Sequence, residues 1–163
     1  MNLWEFVVPE VCRSGHVCAG ASDIWEAVAD VAAMLEWYPK AKTAELIEGP
    51  KEGIGRVQRV RYKVGGRNAT VDSEVIEWQP ERTIAFRQVR EFLGTKQAPL
   101  LARNMTMRVD IEPDGDGGCE IAVRSSWDPV GLKGELATDT VIRPKAETLV
   151  ASVLDGMAAD SDA

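Results

Sequence analysis

Tyr62, Glu74, Gln88 and Arg90 are the residues of this chain whose types and spacing could do chemistry. Each stands two positions from apolar neighbours: Val60 and Val64 flank Tyr62, Ile76 and Trp78 follow Glu74, and Ile84 and Phe86 precede Gln88 and Arg90. Residues two apart in a strand share a face, so this spacing puts a phenol, a carboxylate, an amide and a guanidinium on an apolar wall. Turns at Gly65-Gly66 and Pro80-Glu81 would set Tyr62 beside Asp72, and Glu74 beside Gln88 with Arg90 diagonal to it. Such a cluster orients the oxygen-bearing end of a mostly apolar ligand. Tyr62, Glu74 and Arg90 are also the candidates for moving a proton in catalysis. The alternative is a Glu74 to Arg90 ion pair that satisfies only itself.

The same alternation supplies the rest of the wall. Val60, Ile76, Trp78 and Phe86 join it from the earlier strands, Met105 and Met107 from the next, and Val123, Ser125 and Trp127 from the last. Leu149 and Val153 approach from a C-terminal helix, and Trp37 from the rim. Broad aromatic faces and flexible thioethers suit large unsaturated ligands. The five tryptophans, Trp4 and Trp25 included, serve equally well as core, and Trp25 is assigned there. Residues 94–101 put Leu100 and Leu101 in a loop after Gly94, the make-up of a lid or of an anchoring loop.

Other chemistries lack their residues. His16 is the only histidine, and Cys12, Cys18 and Cys119 have no paired spacing. Neither a zinc site nor a Ser-His-Asp triad assembles from familiar ligand types, and no metal or cofactor is expected. The glycines of residues 49–55 precede a strand rather than a helix, which is wrong for a phosphate loop. Asp114-Gly115-Asp116-Gly117-Gly118 resembles half a calcium loop, but Ser125 stands where the twelfth-position glutamate belongs, so it reads as a hairpin turn. The basic run of Arg56, Arg59, Arg61 and Lys63 falls largely opposite the Tyr62 face and reads as the solvated outside of a sheet.

These side chains must be held by an α+β order. Ile24, Val28, Val31, Ala32 and Leu35 repeat at helical spacing, and Pro39 ends the pattern, so a helix broken into two short pieces is expected over residues 22–36, with Ser22-Asp23 as its cap. Alternating segments follow at 43–48, 56–64, 69–78, 83–92, 102–112 and 119–127, separated by turn residues. With an opening strand at 17–19 they make seven. Ile142, Ala146, Leu149, Val150, Val153, Leu154 and Met157 form the stripe of a long final helix, which either begins at Pro144 or is kinked there after starting near residue 132. Residues 158–163 should fray.

The 163 residues suit one domain over 1–163. A composition 45% hydrophobic and 28% charged excludes collagen-like, disordered and disulfide-stapled chains. With 19 basic against 26 acidic residues the net charge is −7, which argues against a nucleic-acid partner. No apolar run reaches membrane-spanning length, the start lacks a basic signal-like region, and the cysteines read as reduced thiols, so a cytoplasmic protein without stable membrane insertion is expected.

Residues 17–25, VCAGASDIW, resemble the strand-then-helix opening of the START-related, pollen-allergen-like (SRPBCC) superfamily, whose branches include polyketide cyclase/dehydrase and lipid-transport-like proteins. Trp37-Tyr38-Pro39, the GIGRV run of residues 53–57 and the EWQPER run of residues 77–82 match in the same order, so the resemblance covers nearly the whole chain. Ala21-Ser22 replaces a frequent proline, and Pro144 in the last helix is a departure near the cavity mouth. The resemblance implies a helix-grip fold, in which a curved seven-stranded antiparallel sheet wraps a long C-terminal helix, with an internal cavity for a lipophilic small molecule. Its leading functional implication is a carrier or sequestering protein for an aromatic or polyketide-type metabolite. The rivals are a polyketide cyclase/dehydrase, an enediyne-type self-resistance protein that sacrifices itself, and a ligand-gated interaction module.

Overall fold

The computed structural model describes residues 8–161; Trp4 lies outside them. The chain runs β1 (Glu10–Val17), α1 (Ala21–Ala29), α2 (Met34–Trp37), β2 (Ala41–Glu48), β3 (Val57–Val64), β4 (Arg67–Gln79), β5 (Thr83–Leu93), β6 (Lys96–Gln97), β7 (Ala102–Pro113), β8 (Cys119–Pro129), α3 (Gly131–Ala137), a π-helical turn (Thr138–Ile142) and α4 (Arg143–Ser161). Seven long strands form one antiparallel sheet in the order β1-β8-β7-β5-β4-β3-β2, with two-residue β6 paired to β5. This is the helix-grip arrangement, with α4 against the concave face.

Local chemistry accounts for most element ends. Gly65 and Gly66 both take positive φ (55° and 80°), the conformation a two-residue hairpin turn requires, and they pair Val64 with Arg67. The first helix starts at Ala21 behind an N-cap at Gly20 that makes no side-chain cap hydrogen bond, so Ser22-Asp23 is not its cap. It breaks before α2, as the spacing anticipates. The opening strand lies earlier than residues 17–19, at Glu10–Val17, because its pairing with β8 runs from Glu10 opposite Ser126 to Val17 opposite Cys119.

The last helix resolves its proline by widening. In the π-helical turn the Arg143 N–H reaches back to the Thr138 carbonyl, five residues away, and Pro144, which has no N–H to give, follows directly. The helix continues through Ser161, and residues 162 and 163 of the expected tail lie outside the described residues.

The buried set forms two clusters. The larger joins the concave faces of β3, β4, β5, β7 and β8 to Ile24, Val28, Met34 and Trp37 and to Val150, Val153 and Met157 of α4. The smaller centres on Trp127, Ile142 and Ala146, with Met105 and Leu101 against it. Gly156 lets α4 pass close to α2, since a Cβ there would lie 2.7 Å from the Trp37 Cβ and 3.1 Å from its Cα.

Two substitutions in α4 test this packing. Alanine in a helix gains about 0.5–1 kcal/mol over glycine, but overpacking costs about 1–3 kcal/mol, so Gly156→Ala is expected to lower stability in urea unfolding. Met157→Asp puts an unpaired charge on the buried stripe and is expected to cost on the order of 3–5 kcal/mol; an unchanged melting temperature would contradict the helix-face assignment.

Candidate functional site: the mouth of the grip

β5 and β7 pair only where Thr83 to Arg87 face Asp110 to Thr106. Beyond that point Gln88–Leu93 stays with β4 and Ala102–Met105 turns toward β8, so the sheet opens. Residues 94–101 span the opening. Gly94, at φ 63°, turns the chain into β6, Ala98 N–H bonds to Glu91 O at 2.9 Å, and Val130 N–H bonds to Leu101 O at 2.9 Å. Met105 packs against the smaller cluster around Trp127, while Tyr62, Phe86 and Met107 belong to the larger one.

Two bulges decide which polar groups reach it. In the β4/β5 ladder Asp72 faces Arg90 and Ser73 faces Gln88, which leaves Val89 unpaired; Val75 faces Phe86 and Glu77 faces Ala85, which leaves Ile76 unpaired. Each extra residue reverses the alternation beyond it. Trp78 therefore reports the inward phase only for the last part of β4, and Ile76, the unpaired residue itself, is exposed rather than part of the wall. Upstream, Ala69, Val71 and Val75 are the buried inward set, and Asp72 and Glu74 point to the convex face. In β5, Phe86 and Gln88 face inward, Arg90 faces out, and Glu91 and Leu93 return to the interior opposite Val71 and Ala69.

The expected cluster of Tyr62, Glu74, Gln88 and Arg90 is accordingly not assembled. Glu74 pairs with Arg87 at 3.2 Å on the outside. Arg90 Nε donates to Asp72 Oδ2 at 3.0 Å, and Arg59 donates to both oxygens of Asp72 at 2.7 and 2.9 Å. The Glu74 to Arg90 pair does not form, and Tyr62 faces Ala69 rather than Asp72. Ile76 and Val64 are exposed. Arg56 departs from the solvated basic run: it is 1% exposed, donating to Ala29 O at 2.6 Å and to Gln58 Oε1 at 2.9 Å, with its guanidinium 5.4 Å from the Trp78 ring centre.

The other expected wall residues do face the interior. Val60, Phe86, Met107, Val123 and Val153 are buried in the larger cluster, with Trp78 and Leu149 packed against it; Ser125 is buried on the inner face of β8. Trp37 is buried beside Phe86, ring centres 6.2 Å apart, and its Nε1–H donates to Ala27 O. Trp25 packs edge-on against Trp78 at 5.0 Å. Trp127 is fully buried under the Arg143 guanidinium, and its Nε1–H has no acceptor among the described residues.

The residues that replace the expected cluster are Tyr38, Glu91 and Lys145. Glu91 takes Gln88 Nε2 at 2.9 Å on one oxygen and Lys145 Nζ at 3.3 Å on the other, tying β5 to the start of α4. The Tyr38 and Tyr62 rings stand 5.4 Å apart at 60°. Tyr62 is 5% exposed, and its hydroxyl makes no well-formed hydrogen bond among the described residues, although the Tyr38 phenol is near enough to interact with it. Burial first, and Glu91 next, hold the Tyr62 phenol far above its ordinary pKa; burial, Tyr62 and Glu91 do the same to Tyr38. Both phenols stay protonated in the ordinary pH range, so each can donate one hydrogen bond or accept through its oxygen. Lys145 was legible as the residue four before Leu149 on the same helix. Glu91 was not, because nothing in the sequence marks the Val89 bulge.

Among the described residues an open groove of about 580 Å³ also lies where α2 crosses α4, lined by Glu36, Thr148, Ala151, Ser152, Asp155 and Gly156. It contains none of the expected site residues. No helix among the described residues is long and apolar enough to cross a membrane.

A curved antiparallel sheet gripping one long helix, with two short helices after its first strand, defines the START/Bet v1-like class. Within it, the chain belongs to the polyketide cyclase / dehydrase and lipid transport family, whose model matches residues 9–162. It is similar to the Zhui aromatase/cyclase from Streptomyces sp. R1128, at 19% identity over 93% of this chain and 94% of that one, with TM-score 0.67. It is also similar to ginseng major latex-like protein 151 from Panax ginseng, at 12% identity over 94% and 97% of the two chains, TM-score 0.69. The di-domain ARO/CYC StfQ from the steffimycin biosynthetic pathway matches at 14% identity and TM-score 0.73, and this chain, matched over 96% of its length, spans 51% of it. At these identities the likeness is one of fold. No curated protein sequence matches the chain.

The raised phenols fix the sign of an alkaline transition. Below about pH 10, the ordinary phenol value, folded and unfolded chains both hold these protons. Above it the unfolded chain releases them first, so stability falls as pH rises. Urea unfolding from about pH 8 to about pH 11 is expected to show this decline, and Tyr38→Phe and Tyr62→Phe are each expected to flatten it.

Proposed function

We propose that the protein encloses a lipophilic small molecule of aromatic or polyketide type between α4 and the concave sheet, its oxygen-bearing end seated at the mouth. The observation that carries this reading is the Tyr62 hydroxyl, buried beside Tyr38 and Glu91 with no well-formed hydrogen bond among the described residues. A buried hydroxyl left unpaired costs about 1–3 kcal/mol, a cost that a ligand carbonyl or hydroxyl would remove. Gln88 and the Glu91 to Lys145 pair add donors and an acceptor beside it, while Phe86, Met107, Trp127 and Leu149 offer apolar surface. The family assignment supports the same ligand class.

A catalytic reading has its own support in the pairing of a protonated phenol with a nearby carboxylate. Tyr62 would hydrogen-bond a keto oxygen and stabilise the enolate formed as Glu91 takes a proton from the adjacent carbon, favouring an aldol cyclisation that the enclosed shape orients. The two readings separate on turnover: product from poly-β-keto or anthraquinone-like substrates beyond one equivalent identifies an enzyme, and saturable binding without product identifies a carrier or sequestering protein.

Tyr62→Phe is the direct test of the site. It is expected to leave urea stability unchanged or slightly raised, because it removes an unpaired polar atom. Affinity for an anthraquinone-like ligand, followed by tryptophan emission, is expected to fall by about 0.5–1.5 kcal/mol, one net hydrogen bond. Wild-type affinity in this variant would remove Tyr62 from the site.

A further inference from the structure

The folded chain brings together a set of metal-binding donors that their spacing in sequence does not suggest. His16, one residue before the end of β1, faces the β7/β8 hairpin turn, 98 residues further along the chain. Its Nε2 contacts Asp114 Oδ2 directly and lies 3.8 Å from Asp116 Oδ1. The three donor atoms all lie within 4.8 Å of one another. Around a tetrahedral zinc, donors at 2.0–2.2 Å stand roughly 3.3–3.6 Å apart, close to the spacing found here; Asp114 Oδ1 and Asp116 Oδ1 also accept from the Asp116 and Gly118 N–H groups at 3.2 Å, so the turn itself holds both carboxylates toward His16.

Two features position the imidazole. Gly118 leaves it room: a Cβ there would lie 2.7 Å from both Cε1 and Nε2 of His16. On the other edge of the ring Nδ1 lies 3.9 Å from Cys18 Sγ, the place of the second-sphere partner that metal-bound histidines ordinarily have. The half calcium loop of residues 114–118 thus lacks its glutamate but meets a histidine from another strand.

We propose that His16 Nε2, Asp114 and Asp116 bind one divalent transition ion of the zinc type, with water completing the coordination, and that the ion clamps the end of β1 to the β7/β8 turn. One nitrogen and two carboxylates suit such an ion better than calcium, which takes six to eight oxygens. On binding, the Nε2 lone pair coordinates the metal and any proton on Nε2 leaves to solvent, while Nδ1 carries the remaining hydrogen toward Cys18. The two carboxylates balance the charge of the ion.

The test is calorimetric titration of the full chain with zinc chloride, alongside cobalt(II) absorption spectra and melting temperatures with and without zinc. The expected result is one equivalent bound, a higher melting temperature, and a cobalt spectrum without a thiolate charge-transfer band. His16→Gln and Asp114→Asn should each weaken zinc binding more than the roughly 10–100-fold typical of outer-sphere changes. Cys18→Ser should weaken it less than either, and calcium chloride should give no comparable heat. All three side chains are at least partly exposed, so the variants should fold, and their unliganded melting temperatures check this. Zinc binding unchanged in His16→Gln, no binding by the wild-type chain, or a thiolate band in the cobalt spectrum would each overturn the proposal.

Discussion

A β-strand turns successive side chains to opposite faces, so one extra residue exchanges the faces of everything beyond it. In this protein the exchange occurs at Val89 of β5 and Ile76 of β4, and the chemistry of the interior depends on it. Without the Val89 bulge, Arg90 would enter the grip and Glu91 would leave it. With it, the interior receives a carboxylate that accepts from Gln88 and Lys145, and the arginine joins Arg59 around Asp72 on the convex face.

That division also settles an electrostatic problem. The Asp72 side chain is fully buried, and burial alone would raise its pKa; hydrogen bonds from Arg59 and Arg90 more than offset this and hold it below the ordinary carboxylate value. Because both guanidinium groups remain partly exposed, the site desolvates one charge rather than three. Arg56 is the counter-case. It is buried with no ion-pair partner among the described residues, and it is held by the Ala29 carbonyl at the end of α1, by Gln58 and by the face of Trp78. It thereby ties the first helix to the sheet, while Glu91 and Lys145 tie the last one at the mouth.

The mouth combines two physical circumstances that seldom coexist in a plain core. The sheet loses its ladder between β5 and β7 beyond Arg87, and two buried donors, the Tyr62 hydroxyl and the Trp127 indole, make no well-formed hydrogen bond among the described residues. A filled core would have selected phenylalanine at such positions, since an unpaired buried donor costs free energy that a hydrocarbon does not.

The amino-acid sequence by itself determined the class of fold. The stripe of Ile142, Ala146, Val150, Val153 and Met157 required a long amphipathic helix, the Gly65-Gly66 pair required a tight hairpin, and alternation placed Met107, Val123 and Trp127 inside, because helical and strand periods are local properties of the chain. Glu74 and Arg90 were misplaced for the same reason: alternation carries no mark of where a residue will go unpaired, and a bulge is set by how two neighbouring strands accommodate each other. The pairing of Glu91 with Lys145, the approach of Tyr38 to Tyr62 and the meeting of His16 with Asp114 join residues far apart in the chain. Only the tertiary structure decided them, because their energy depends on distances through space that no local pattern encodes.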